Sequence, residues 1–113
     1  MTLDNVVKAL GLTVRCGEGF LERNVTGGYA GDLLSDVIAN SRAGSLWITM
    51  QVHVNIVAVA VLKELVGIVL VQGREPAEET LKKAVEEHVP ILISPSPAFE
   101  TAGKLSAMLT KGP

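Results

Sequence analysis

Three polar residues that alternate between two apolar runs, Gln51, His53 and Asn55, are the part of the sequence best suited to chemistry. An imidazole and two carboxamides at this spacing can donate and accept hydrogen bonds to a polar or anionic ligand. The same side chains can instead satisfy the free backbone N–H groups that begin a helix. The residue pattern favours neither interpretation over the other.

Catalysis finds little support in the sequence. A Gly-x-x-x-x-Gly-Lys-Ser/Thr loop does not occur, which argues against a P-loop kinase, and Gly27-Gly28-x-x-Gly31 lacks the spacing of a dinucleotide-binding fingerprint. His53, His88 and Cys16 do not fall at a zinc-binding spacing. No serine lies in a nucleophile elbow, and no carboxylate close in sequence would assist a histidine base. We therefore predict neither enzymatic activity nor a metal or cofactor.

A second candidate feature is the glycine-rich stretch that turns from a strand into a helix. Val25–Ala30 has strand character, and Gly27 and Gly28 interrupt it. Asp32 is then placed to cap the helix that follows. The stretch is either a tight β–α turn or a site where glycine amides hold an anion at a helix start, and the first interpretation is slightly favoured. The apolar stripe of the predicted helix is Leu33, Leu34, Val37 and Ile38.

The elements that must position these residues alternate between strands and helices. Apolar runs bounded by turn residues predict strands at Leu12–Cys16, Val25–Ala30, Ser45–Met50, Val66–Val71 and Val89–Ile93. Helical spacing predicts helices at Leu3–Leu10, after Asp32, at His53–Glu64, after Glu75-Pro76 and at Pro97–Thr110. The segment Glu18–Asn24 is a turn or a frayed strand edge.

The helix predicted at His53–Glu64 is the least obvious of these elements. Its β-branched residues favour a strand, but it is longer than a usual strand, and the parallel strands on either side need a crossover element between them. It is apolar nearly all round. We therefore expect it to be buried on most faces or shared with another subunit.

The last two helices carry more specific expectations. In the helix after Glu75-Pro76, charged pairs at i,i+4 spacing form a solvated face, namely Glu78/Lys82 and Glu79/Lys83. Its opposite face consists of Leu81, Ala84, Val85 and His88. In the final helix Ser96 is the predicted N-cap and Pro97 the first helical residue. The predicted apolar stripe there is Phe99, Ala102, Leu105 and Leu109.

This alternation predicts an α/β fold: a single three-layer α/β/α domain over residues 1–113, with a mainly parallel sheet of about five strands. Hydrophobic residues make up 48% of the chain and charged residues 19%, and the mean hydropathy is +0.37. That much apolar surface in a small chain is best buried between subunits as well as in a core. We therefore expect a homodimer.

Charge and cysteine content bear on partners and compartment. The net charge of −2 and the pI near 5.6 provide no basic field, which disfavours nucleic acid and membrane surfaces as partners. The apolar run 52–71 is long enough to raise the question of a transmembrane helix, but Lys63 and Glu64 interrupt it. Cys16 has no second cysteine to pair with, and the N-terminus lacks the pattern of a signal peptide. We expect a cytoplasmic protein.

Parallel strands place the turns at their carboxyl ends along one edge of the sheet, where ligands usually bind. We expect Arg74 to pair with an anionic group, His53 and Asn55 to orient it, and glycine amides to surround it. The candidate ligand-binding residues at this edge are Gly27, Gly28, Asp32, Thr49, Gln51, His53, Asn55, Gly73, Arg74, Ser94 and Ser96.

Three segments, Ile48–Ile56, Leu70–Pro76 and Val89–Leu92, resemble the DRTGG domain family, and the resemblance covers the chain from about Leu12 onward. It implies a domain similar to the non-catalytic N-terminal domain of HPr kinase/phosphorylase. Such domains occur as regulatory or dimer-forming modules beside CBS domains or attached to phosphotransacetylases. The resemblance therefore implies a regulatory or sensory module without kinase activity.

Two classes of function remain open. The first is a regulatory module that binds a nucleotide or a phosphorylated metabolite at the carboxyl edge of its sheet, as a homodimer. The second is a protein–protein interaction or scaffolding domain that docks onto itself or onto a larger enzyme without any ligand. A molecule bound at the carboxyl ends of the strands would favour the first class, and an empty, closed region there would favour the second.

Overall fold

The computed structural model describes residues 1–111, so the last two residues of the predicted domain lie outside the described part of the chain. The strands are β1 (Thr13–Cys16), β2 (Gly27–Ala30), β3 (Ser45–Thr49), β4 (Gly67–Leu70) and β5 (Ile91–Ile93). The helices are α1 (Leu3–Leu10), α2 (Leu34–Asn40), α3 (Asn55–Leu62), α4 (Glu78–Glu86) and α5 (Ala98–Lys111). A short 3₁₀ helix, Glu18–Phe20, occupies the segment expected to be a turn.

The five strands form one sheet in the order β1-β5-β4-β3-β2. The pairs β2/β3, β3/β4 and β4/β5 are parallel, and only β1 runs antiparallel, on β5. Every residue of β3, β4 and β5 is buried, because helices cover both faces. The predicted α/β class with a mainly parallel sheet is confirmed.

The two faces of the sheet carry separate apolar clusters. Val37 of α2, Ile56 of α3 and Ala84 of α4 pack on one face. On the other face Leu3 of α1 and Leu105 of α5 are buried against the sheet. The chain thus has the three layers expected from its alternating elements.

Helix α1 follows local rules throughout. The side chain of Thr2 accepts from the backbone N–H of Asn5, and the Asn5 side chain accepts in return from the backbone N–H of Thr2. The helix ends at Gly11, whose φ of +65° suits a residue without a Cβ. These signals lie within a few residues of the helix, which is why the sequence predicts its bounds.

Helix α3 confirms the least obvious prediction. It connects two parallel strands that neighbour each other in the sheet, and only a crossover can make that connection. Its residues Ile56, Val57 and Ala60 are buried against the sheet, whereas its residues Val61 and Leu62 are 45% and 65% exposed. The helix therefore keeps an apolar surface that the described residues do not cover.

Predicted details of α2 and α4 are wrong where tertiary packing sets the burial. Leu33 of the predicted stripe is 68% exposed, Ile38 is also exposed, and only Val37 of the helix is buried. Helix α4 begins at Glu78 rather than at Pro76, and Thr80 with Ala84 faces the core. Val85 of this helix is exposed, and so is His88, which follows the end of the helix.

The predicted charge pairs of α4 and the predicted cap of α5 also need correction. Lys83 pairs with Glu86 and Glu87 rather than with Glu79, at 3.8 and 3.5 Å. Helix α5 begins at Ala98, one residue later than predicted, so Pro97 rather than Ser96 precedes it. The predicted core residue Phe99 is 86% exposed. None of the helices within residues 1–111 is long and apolar enough to cross a membrane.

Candidate ligand site at the carboxyl edge of the sheet

Four loops meet at the carboxyl ends of the parallel strands: 31–33 after β2, 50–54 after β3, 71–77 after β4 and 94–97 after β5. Hydrogen bonds join each loop to the next one along the sheet. We call this region the carboxyl edge. Three of the four turns expected to be neighbours, namely Gln51–Asn55, Gln72–Arg74 and Ser94–Ser96, do lie here.

Asp32 joins the β2 loop to the β3 loop. Its Oδ1 accepts from the hydroxyl of Thr49 at 2.8 Å and from the backbone N–H of Met50 at 2.7 Å. In return, the carboxamide of Gln51 donates to the backbone oxygen of Asp32 at 3.0 Å. Asp32 therefore does not cap α2 as predicted, because its carboxylate is used on the neighbouring loop, and α2 starts after Leu33 with no side-chain cap from the described residues.

Arg74 joins the β4 loop to the β3 loop. Its Nε donates to the carbonyl oxygen of Met50 at 2.8 Å. The carbonyl of Val52 accepts both the backbone N–H of Ala77, at 3.1 Å, and the hydroxyl of Thr80, at 2.7 Å. The start of α4 and the loop before α3 are consequently held side by side, with Arg74 between them.

The β4 and β5 loops are joined through the backbone. The N–H groups of Gln72 and Gly73 donate to the carbonyls of Ser96 and Ser94 at 3.0 and 2.8 Å. Both donors have positive φ values, +57° and +65°, so glycine at the second position avoids strain in this tight turn. The hydroxyl of Ser94 is buried and shares a 2.8 Å hydrogen bond with Thr101 of α5. Ser94 thus positions the loop.

His53 and Asn55 are exposed at the start of α3. The N-cap of this helix is Val54, and within residues 1–111 no side chain caps it. The interpretation that Gln51, His53 and Asn55 satisfy the first N–H groups of the helix is therefore wrong. Backbone carbonyls satisfy some of these groups instead, since the N–H groups of Ile56 and Val57 donate to those of His53 and Val54 at 3.2 and 3.1 Å. Helix α4 likewise begins after Ala77 without a side-chain cap from the described chain.

Gly27 and Gly28 do not belong to this site, which corrects their predicted position. They begin β2 and pair with Ser45 and Leu46 at the start of β3, so they lie at the opposite, amino end of the sheet. Strand β2 ends at Ala30, and the N–H of the next residue, Gly31, donates to the carbonyl of Ile48 at 3.1 Å. A Cβ on Gly28 would lie 2.8 Å from Leu105 Cδ2, so this glycine permits the close approach of α5.

Residues that the sequence analysis missed complete the carboxyl edge. Met50 and Val52 take part through backbone carbonyls, which any residue type supplies, so no sequence signal identifies them. Thr80 and Thr101 are buried polar residues within helices, and each donates its hydroxyl to a backbone carbonyl. A threonine in line with the apolar stripe of a helix is the one signal that would have marked them.

Arg15 and Arg74 differ in whether a carboxylate pairs with the guanidinium. Arg15 of β1 binds Glu75 with two parallel hydrogen bonds of 2.8 and 2.6 Å, and that carboxylate raises the pKa of Arg15 above its usual value. Arg74 makes no ion pair with any residue of the described range 1–111. No group of metal-ligating side chains occurs within that range either. At the carboxyl edge Arg74 is thus a cation without a carboxylate partner, whereas the carboxylate of Asp32 is held by a hydroxyl and a backbone N–H.

Comparison with solved structures identifies a similar fold. The CBS and DRTGG domains of the regulatory region of Clostridium perfringens pyrophosphatase, complexed with the activator diadenosine tetraphosphate, superpose on 92% of this chain with a TM-score of 0.69. The fold is DRTGG-like. The sequence identity is 14%, and the superposition covers 45% of the pyrophosphatase chain, so the present chain spans less than half of that region. This likeness supports a DRTGG-like fold and does not single out HPr kinase/phosphorylase.

The sequence by itself has no comparable match. No family model and no curated protein matches it. The DRTGG-like fold therefore rests on the three-dimensional arrangement rather than on sequence identity.

Proposed function

We propose that this chain is a non-catalytic regulatory module that binds a nucleotide or a phosphorylated metabolite at the carboxyl edge of its sheet. The solved structure with a DRTGG-like fold belongs to a regulatory region and contains a nucleotide activator, diadenosine tetraphosphate. That likeness supports a regulatory role for the same fold here. The choice of the carboxyl edge rests on this chain's own residues.

The orientation of Arg74 carries the proposal. Its Nε is used by the carbonyl of Met50, at 2.8 Å, which leaves the two terminal NH₂ groups of an exposed side chain for a ligand. Guanidinium groups bind phosphate oxygens through such paired N–H donors. A guanidinium fixed in advance loses less conformational entropy when it binds.

The start of helix α3 reinforces this arrangement. Helices α3 and α4 both begin beside the Arg74–Met50 contact, and no side chain of the described residues caps either of them. The first turn of α4 already carries the carboxylates of Glu78 and Glu79, whereas the first turn of α3 carries no acidic residue. The positive end of the α3 dipole therefore favours an anion. We propose that His53 and Asn55, exposed at the start of α3, contact the remainder of the ligand and that Gly73 allows it to approach the backbone.

A ligand screen tests this proposal. Adenosine triphosphate, diadenosine tetraphosphate, acetyl phosphate and glucose 6-phosphate are titrated into the wild-type chain, with the unfolding temperature and isothermal titration calorimetry as readouts. At least one of them is expected to bind, and Arg74→Gln is expected to weaken that binding about tenfold, because two charge-assisted hydrogen bonds are lost.

The matched control is Arg23→Gln. Arg23 is a surface arginine whose guanidinium lies 4.4 Å from the ring centroid of Phe20, away from the carboxyl edge, so its replacement should leave the affinity unchanged. The proposal is wrong if none of the four compounds binds, or if Arg74→Gln binds as tightly as the wild-type chain does.

We further propose that the chain acts as a homodimer in the cytoplasm. Val54, Ala58, Val61 and Leu62 form an exposed apolar stripe on α3, beside a groove of about 330 Å³ whose α4 wall contains Lys83 and Glu87. An apolar stripe with a charged margin is suited to another protein surface.

The single cysteine, Cys16, is buried, and burial raises the pKa of its thiol, which suits an unreactive packing role.

The same α3 stripe favours the alternative function, an interaction or scaffolding domain without a ligand. Light scattering of the wild-type chain and of Leu62→Glu tests the association, which the introduced charge should abolish. A chain that is monomeric at all concentrations would contradict the homodimer. A chain that associates but binds none of the screened compounds would favour the interaction domain over the regulatory module.

A further inference from the structure

A second polar concavity lies at the amino end of the sheet, opposite to the carboxyl edge. It has a volume of about 500 Å³ and is bounded by the start of β2 and by the loop that joins α2 to β3. Its lining includes Thr26, Gly27, Tyr29, Asn40, Arg42 and Ser45. None of these residues except Gly27 was expected to bind a ligand.

We propose that this concavity is a separate binding site for a small molecule that carries a single oxyanion group, either a carboxylate or a phosphate. Arg42 supplies the charge. Its side chain is exposed, and it forms no ion pair with any residue in the described part of the chain. An oxyanion in the concavity would receive charge-assisted hydrogen bonds from this guanidinium.

Ser45 supplies a second polar group for such a ligand. The residue is 6% exposed, and it lines the concavity at the start of β3. The one enclosed side-chain oxygen without a partner within residues 1–111 is Ser41 Oγ, so the Ser45 hydroxyl stays open to solvent through the concavity. An open hydroxyl at this position can donate a hydrogen bond to an oxyanion in place of water.

Gly27 keeps this hydroxyl accessible. Its φ lies outside the left-handed region, so the backbone does not require glycine at this position. A Cβ on residue 27 would instead lie 3.0 Å from Ser45 Oγ and would partly cover it. The absence of a side chain is thus explained by the space in front of Ser45 rather than by chain conformation.

The opposite wall limits the charge of the ligand. The carboxylate of Asp36 accepts from the Tyr29 hydroxyl at 2.5 Å and from the Asn40 amide at 2.9 Å, so it lies directly behind two lining residues. A polyanion would be repelled by this carboxylate. A ligand with one oxyanion group can contact Arg42 and Ser45 while its remaining atoms bind the side chains of Thr26 and Asn40.

Amide chemical shifts measured by NMR during separate titrations with inorganic phosphate and with acetate test the proposal. One or both ions should shift the amides of Gly27, Gly28, Arg42 and Ala43. Binding of phosphate alone indicates a phosphorylated ligand, binding of acetate alone indicates a carboxylate, and binding of both indicates a site for either group. The proposal is wrong if neither ion shifts these amides.

Three variants refine the test. Arg42→Gln should weaken the binding about tenfold. Ser45→Ala should weaken it severalfold while leaving the unfolding temperature unchanged, because no hydrogen bond within the protein is lost. Gly27→Ala should also weaken it, by covering the hydroxyl. Wild-type affinity in both Arg42→Gln and Ser45→Ala would overturn the proposal.

Arg74→Gln separates this site from the carboxyl edge. It should leave the shifts at Gly27 and Arg42 intact, since the two regions lie at opposite ends of the strands. If phosphate shifts only amides near Arg74 and Asn55, the amino-end site fails while the function proposed for the carboxyl edge stands. If phosphate shifts only amides near Gly27 and Arg42, the amino-end site stands while the function proposed for the carboxyl edge fails.

Discussion

Arg74 and Met50 lie in different loops, 24 residues apart in sequence, yet the Nε of Arg74 donates to the carbonyl oxygen of Met50 at 2.8 Å. The contact fixes the guanidinium over the ends of β3 and β4. It also ties the loop before α3 to the loop before α4. One hydrogen bond therefore combines a structural role with the presentation of a positive charge.

This geometry predicts that charge alone does not replace Arg74. Arg74→Lys retains the positive charge but lacks the planar fork that can hold Met50 and a phosphate at the same time. We expect calorimetry to measure an affinity for the bound nucleotide or phosphorylated metabolite about fivefold to tenfold lower than that of the wild-type chain. Arg23→Lys serves as the control and should bind normally. Equal affinity in Arg74→Lys would mean that the fork is unimportant.

Asp32 should contribute to stability through the β3 loop rather than through helix α2. Asp32→Ala removes an acceptor from the buried Thr49 hydroxyl and from the Met50 N–H, which should cost about 1–2 kcal/mol in urea unfolding. Asp32→Asn keeps a side-chain oxygen and should cost less. The native far-UV circular dichroism should stay unchanged in both variants. A loss of helical signal in Asp32→Ala would instead favour the capping role.

The pair Tyr29–Asp36 predicts a pH dependence of stability. The Tyr29 hydroxyl, followed by the Asn40 amide, lowers the pKa of Asp36 below its ordinary 3.8. The folded state therefore gains stability from this carboxylate above pH 3.8, and loses it as the pH falls through the lower folded-state pKa. Tyr29→Phe should raise the Asp36 pKa measured by NMR, and Asn40→Ala should raise it less.

The same variant has a second readout. Tyr29→Phe should lower the unfolding temperature at neutral pH, and the difference from the wild-type chain should shrink once Asp36 is protonated in the folded state. A difference that is independent of pH would show that packing of the ring, rather than the hydrogen bond to Asp36, is responsible.

Two apolar residues on α5 should differ strongly in their contribution to stability. Leu105 is 2% exposed and lies against Gly28, so Leu105→Ala should cost about 2–5 kcal/mol in urea unfolding. Phe99 is almost fully exposed, so Phe99→Ala should change the free energy of unfolding by less than about 0.5 kcal/mol. A large loss in Phe99→Ala would mean that another surface covers this ring in solution.

Much of the fold could be predicted because its signals are local. The capped helix α1, the buried strand β4 and the crossover helix α3 each follow from residues that lie within one element or beside it. Alternation of such elements then leads to a mainly parallel sheet. The carboxyl edge could be anticipated in outline for the same reason, since parallel strands carry their following loops to one side.

The sequence by itself determined the order and type of the main elements, and it placed Gln51, Arg74 and Ser94 after strands, because hydrophobic period and turn residues act over short distances. Only the tertiary structure decided that Asp32 holds the β3 loop, that Gly27 and Gly28 lie at the amino end, and that Phe99 is exposed. Each of these depends on what another element places nearby. Asp32 and Met50 are 18 residues apart, so their contact exists only once the sheet has brought the loops together.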